Sequence, residues 1–122
     1  MTAPLRIDGE TKGFPIIGHP IGQVKSPASL SQIMADRGFN GIVVPAHILP
    51  EDLSAWLDQA GALRNCDGII VTVPHKGPCF SHCTRVTARA RAAGAVNIMI
   101  RDRDGWLGDA TDGQGFMDGV AA

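Results

Sequence analysis

Apolar residues along the chain come in short runs, separated by polar stretches marked with glycine and proline. Residues 1–13 are polar with little periodicity and read as a loose lead-in. Phe14–Gly18 (FPIIG) is the first apolar run and predicts a short buried strand. His19–Lys25 (HPIGQVK) is a loop punctuated by Pro20 and Gly22. Ser26-Pro27 has the form of a helix start, with serine as N-cap and proline at the first helical position. Leu30, Ile33 and Met34 then recur at helical spacing, so the helix is predicted to run to about Arg37 and stop at Gly38.

The alternation continues. Gly41–Ala46 (GIVVPA) predicts a second strand, and Pro45 inside it implies an edge or strand-end position. Pro50–Ala60 predicts a helix with Leu53, Trp56, Leu57 and Ala60 on one face. Gly68–Val73 (GIIVTV) is apolar on both faces, as central parallel strands tend to be. Residues 76–92 read as one helix ending before Gly94, and Ala95–Ile100 (AVNIMI) as the next strand. Asp102–Gly105 is a turn, Trp106–Gly108 a short partner strand, and Asp112–Val120 the start of another helix. Strands alternating with helices imply an α/β fold, a mostly parallel sheet flanked by helices. Ligands of such sheets sit beyond the carboxyl ends of the strands. Four loops would meet there: after FPIIG, after IIVTV, near AVN, and at LGDATDG.

Composition narrows the picture. At 122 residues and net charge −1, the chain suits one domain, residues 1–122, that can hold its own core. No charge run favours nucleic acid or an anionic membrane surface, and no apolar run is long enough to span a bilayer. The N-terminus lacks an apolar signal-peptide core, which makes a cytoplasmic location the expectation. The three cysteines, Cys66, Cys79 and Cys83, are an odd number without a secretion signal, so no disulfide framework is expected.

Several polar residues stand where chemistry would gather. Lys76 directly follows the apolar strand and opens a predicted helix. A cation at a helix N-terminus is electrostatically unfavourable, which suits a group that exchanges protons. Asp112, in LGDATDGQGF, is either a helix N-cap or a carboxylate paired with Lys76, and spacing leaves Asp109 as its rival. Asn97 lies in a strand pattern where asparagine is depleted, so it either bonds a neighbouring loop or faces substrate hydroxyls. Ser26 combines an N-cap hydroxyl with a helix N-terminus, a ready anion site. Thr72 points opposite to Val71 and Val73, and His75 reads as a loop-packing imidazole or a minor polar contact. His75, Cys79, His82 and Cys83 invite a zinc reading, but their spacing fits neither structural nor deaminase zinc sites, so no metal is expected. DGQGFMDG fails as a dinucleotide fingerprint because Asp118 stands at the third glycine position after Gly113 and Gly115.

Taken together, GHPIGQVKSP (Gly18–Pro27), VTVPHK (Val71–Lys76), GAVN (Gly94–Asn97) and GDATDGQGF (Gly108–Phe116) resemble the N-terminal, substrate-binding domain of shikimate and quinate dehydrogenases. Order and spacing agree over nearly the whole chain. The resemblance implies interconversion of 3-dehydroshikimate and shikimate, or the quinate pair, with NADP or NAD, a reaction of aromatic amino acid biosynthesis. It assigns Lys76 and Asp112 to the hydroxyl that becomes a ketone, Thr72 and Asn97 to the ring hydroxyls, and Ser26 to the carboxylate. It also implies a nicotinamide-binding domain that this chain lacks, so the isolated chain is expected to be inactive. The ending FMDGVAA falls in a predicted helix leading toward such a domain, which implies truncation; the missing half would otherwise be a separate cofactor-domain partner. Apolar surface left bare by the missing domain makes a homo-oligomer a further expectation. Two departures stand out. Val24 occupies the position of a second carboxylate-binding hydroxyl, and Ala110 replaces the asparagine that usually precedes the Thr-Asp-Gly of this motif. Both keep a second class in view, a non-catalytic module that binds a cyclic hydroxy acid.

Overall fold

The computed structural model describes residues 3–103 and 105–111. The predicted helix at Asp112–Val120 lies outside them, and so does the candidate Asp112. The described chain forms β1 (Lys12–Gly18), α1 (Ser26–Asp36), β2 (Gly41–His47), a 3₁₀ turn (Pro50–Asp52) leading into α2 (Leu53–Ala60), β3 (Gly68–Val71), α3 (Lys76–His82), β4 (Arg85–Val86), α4 (Ala88–Ala93), β5 (Ile98–Asp102) and β6 (Gly105–Asp109).

The strands make one sheet in the order β2-β1-β3-β5-β6-β4. β1 pairs in parallel with β2 and β3, and β4 with β6, whereas β5 runs antiparallel to both β3 and β6. The expected mostly parallel α/β sheet is therefore present, with β5 as its one reversed strand. β2 is an edge strand, which accommodates Pro45 as predicted.

Alternating side chains divide the core between the two faces of the sheet. Ile17, Ile69, Val71 and Met99 join Leu53, Leu57, Cys79, Ala90 and Trp106 on the face covered by α2, α3 and α4. Ile16 and Ile98 join Phe14, Val43 and Met34 of α1 on the other. A two-residue period on the strands and helices on both faces is what such a sheet requires.

Some boundaries and faces differ from the sequence reading. α1 begins at Ser26 itself; Lys25 is the N-cap and no side chain caps the helix. Its buried stripe contains Ser31 and Met34, while Ile33 is exposed. Ser31 is tolerated there because its Oγ accepts the Val43 N–H at 2.8 Å. The single helix predicted over 76–92 is two short helices with β4 between them. Thr84, Val86 and Thr87 are β-branched, and the segment finds β6 as a partner: the Thr84 and Thr87 N–H groups donate to the carbonyls of Trp106 and Gly108. Thr87 then caps α4 through Oγ1, at 3.2 Å from the Ala90 nitrogen. Gly38 and Gly94, at φ +76 and +65, stop α1 and α4 as predicted.

Candidate active site

Because β1, β2, β3, β4 and β6 run one way and β5 the other, one sheet edge collects the exits of five strands and the entry to β5. Thr72, Lys76, Asn97 and Asp109 meet at this edge, as the loop count predicted.

The VTVPHK segment is pinned to its neighbours by its backbone. Regular pairing in β3 ends at Val71, earlier than expected, yet the Thr72 N–H still donates to the Ile17 carbonyl (2.9 Å) and the His19 N–H to that of Val73 (3.1 Å). The peptides before Pro74 and Pro20 are both cis. The His75 N–H closes a turn onto the Thr72 carbonyl, and α3 opens at Lys76. The His75 ring is 1% exposed, with Nε2 at 2.7 Å from the Ile48 carbonyl, so it ties this loop to the one after β2. That is the loop-packing role. The half-buried Lys76 gives its carbonyl to the Val96 N–H (3.1 Å), and no carboxylate among the described residues pairs with its amine.

Thr72 stands against Gly18, where a Cβ would lie 2.5 Å from the threonine methyl and 3.2 Å from the Val73 carbonyl. Gly18 is therefore what lets the β1 loop and the β3 loop approach. His19 continues from it, and its Nδ1 lies 2.8 Å from Nε2 of His47 at the end of β2. The half-buried Ser26 opens α1; its carbonyl accepts from Ser29, while its hydroxyl makes no capping bond.

Asn97 uses its amide locally. Oδ1 accepts the Thr111 N–H at 2.9 Å, and Nδ2 donates to the Thr111 carbonyl. Oδ1 also accepts the Thr111 hydroxyl at 3.5 Å, which leaves Nδ2 with capacity for one more bond. Asp109 is likewise committed. Arg89 donates to both its oxygens at 2.7 Å, Thr87 donates at 2.6 Å and the Ala110 N–H at 2.8 Å. The Arg89 guanidinium, helped by these other donors, holds the Asp109 carboxyl down at about 2 against the cost of its burial. As a rival partner for Lys76, Asp109 is thus already taken by Arg89.

The His/Cys segment is spent on packing. Cys79 is wholly buried, and burial pushes its thiol up to about 12 and that of Cys83 to about 11. Cys83 Sγ donates to the Cys79 carbonyl. Among the described residues, no three His, Cys, Asp or Glu side chains form a metal-ligand group.

Residues 16–99 match the family model of the shikimate dehydrogenase substrate binding domain. The chain belongs to this family. The shikimate dehydrogenase (NADP(+)) of Rubrobacter xylanophilus is 40% identical over 118 residues, which cover 96% of this chain and 41% of that protein. That of Microcystis aeruginosa is 36% identical over 111 residues, 91% of this chain and 38% of its own. A crystal structure of shikimate dehydrogenase in complex with NADP+ superposes with a TM-score of 0.83 at 32% identity, over 95% of this chain and 39% of that one. The chain thus spans about two-fifths of the length of the curated relatives it matches.

In this shikimate dehydrogenase substrate-binding domain, both departures from the family pattern fall on apolar packing. Val24 packs against the α1-side cluster, and Ala110 against the opposite one. Sequence reasoning missed Arg89 and Thr87. Thr87 could have been found as the N-cap before an alanine-rich helix; nothing in the local sequence marks Arg89, whose partner is 20 residues away.

Proposed function

We propose that the chain is the substrate-holding part of an oxidoreductase that interconverts 3-dehydroshikimate and shikimate, or the corresponding quinate pair. The observation that carries this reading is the meeting of Thr72, Lys76 and Asn97 at one sheet edge. Their segments are bonded directly, through the Val71 N–H to the Asn97 carbonyl and the Val96 N–H to the Lys76 carbonyl. The names of the relatives support the substrate, and a solved shikimate 5-dehydrogenase from Listeria monocytogenes in complex with shikimate and NAD (26% identical, TM-score 0.82) supports the ligand class.

On this reading Lys76 and Asp112 bind the hydroxyl that becomes a ketone, and its proton moves on them. Thr72 and Asn97 hold ring hydroxyls, and the Ser26 hydroxyl binds the carboxylate. The hydride is carried by NADP or NAD. The crossing from β1 to α1 does not suit that cofactor, because Pro20 stands where a dinucleotide loop needs its second glycine. The cofactor belongs to a domain outside this chain.

The test is an NMR titration of the isotope-labelled chain with shikimate and with quinate. Saturable shifts are expected at Ser26, Thr72, Asn97 and Asp112, with affinity about ten-fold lower in Lys76→Ala, the loss of one charged hydrogen bond. Silence at millimolar ligand would overturn the reading. A second reading, an acid-binding module without turnover, is favoured by Val24, an apolar side chain where the resemblance expects a carboxylate-binding hydroxyl. Joining the chain to a relative's nicotinamide-binding domain separates the two: shikimate-dependent reduction of NADP supports the enzyme, and binding without reduction supports the module.

A further inference from the structure

We infer that Ser31 and Pro45 close the outer edge of β2 to strand addition, so that a second copy of this chain cannot lengthen the sheet at that end. The edge has the character that calls for closure. β2 spans seven residues and is the last strand on its side among the described residues. Its sequence, GIVVPAH, is largely apolar, contains no acidic, lysine or arginine side chain, and leaves Val44 48% exposed. An unpaired apolar strand of this length is a ready template for another chain.

The register shows what the edge offers instead. In a parallel pair, alternate residues of a strand turn both backbone groups toward the same neighbour. The Asn40 carbonyl accepts from Lys12 and the Ile48 N–H donates to Gly18, so the even-numbered positions face β1 and Gly41, Val43, Pro45 and His47 face outward. The outward donors are spent or missing. The Gly41 N–H bonds the Phe39 carbonyl at 3.0 Å, the Val43 N–H bonds the Ser31 hydroxyl at 2.8 Å, and Pro45 has no N–H to give. That leaves the His47 N–H, at the very end of the strand. An incoming strand needs donors and acceptors in alternation along its length and meets a row of carbonyls. Ser31 itself is buried in α1, so its hydroxyl is there for Val43 and not for water. The opposite end of the sheet is blunted by brevity: β4 has two residues, and Arg85, one of them, is bonded to Asp102.

Sedimentation equilibrium of the whole chain, from micromolar to near-millimolar concentration, tests this on wild type, Pro45→Val, Ser31→Ala and the double variant. Closure requires a wild type whose β2 amides gain no exchange protection as concentration rises. Pro45→Val restores an exposed donor without removing a buried bond and should associate weakly. The double variant, with a second donor freed at Val43, should associate about ten-fold more tightly than Pro45→Val. Its β2 amides should gain protection from hydrogen exchange as it does so. Adding Val44→Lys puts a charge on the opened edge and should return the double variant to monomer. Wild-type association that protects the β2 amides would overturn the inference. So would a Pro45→Val and a double variant that both stay monomeric, or an association that Val44→Lys does not reverse. Should Ser31→Ala fail to fold, Pro45→Val with and without Val44→Lys decides the matter alone.

Discussion

Gly18 carries a constraint that its neighbours impose. The flanking loops come so close that a methyl there would sit 2.5 Å from the Thr72 methyl. Gly18→Ala should therefore cost about 1–3 kcal/mol, the usual range for overpacking, and lower the melting temperature by several degrees. Amide shifts confined to 18–20 and 71–75 would locate the strain; an unchanged melting curve would mean that the loops yield freely. Asp109 yields a pH prediction. Its folded-state pKa, about 2, lies below the ordinary carboxylate value. The resulting stability is complete above about pH 4 and is lost as pH falls through 2. Discounted for the exposed guanidinium, it amounts to about 1–2 kcal/mol. Asp109→Asn should flatten the acid end of a melting-temperature profile between pH 4 and pH 2 and leave the slope near neutrality unchanged. At this scale the sequence was legible in residue type. Lys76 and Thr72 stood out because of where a hydrophobic strand stopped, and Asn97 because asparagine is rare in strands. Their partners were not legible: Asn97 bonds Thr111, 14 residues away.

Among elements, periodicity located strands and helices well and failed where two elements compete. Residues 76–92 end in an alanine- and arginine-rich run, so a single helix was the local expectation; β6 supplies backbone partners that a helix would forgo, and the segment breaks into α3, β4 and α4. His75 shows the same dependence on remote partners. Its ring joins the β3–α3 turn to Ile48 across 27 residues. His75→Phe keeps the bulk but orphans the buried Ile48 carbonyl, and should cost about 1–3 kcal/mol by chemical denaturation. A cost below half a kcal/mol would show that water or another donor replaces the ring. Arg101 is a further case. Its guanidinium donates to the carbonyls of Ala60, Gly61 and Leu63 at the end of α2 and lies over the Trp106 ring at 4.8 Å, a role no local pattern announces.

For the whole molecule, the sheet divides the apolar residues between two faces and carries all three thiols into or against the larger cluster. Burial keeps those thiols protonated, so they should resist a thiol reagent at pH 8 for as long as the fold persists and react fully in denaturant. Rapid labelling of Cys79 with the near-ultraviolet spectrum intact would contradict this packing.

The sequence by itself determined the alternation of strand and helix, the α/β class, the two glycine stops and the residue types at the strand exits. These depend on contacts a few residues apart, or on which faces of an element are apolar. Tertiary structure alone decided the reversed β5, the break at β4, the commitment of Asp109 to Arg89 and of Asn97 to Thr111, and the need for glycine at position 18. Each of these is a choice between hydrogen-bond partners, or a steric limit, between segments far apart in the chain. Such choices are settled only when the sheet brings those segments to one edge.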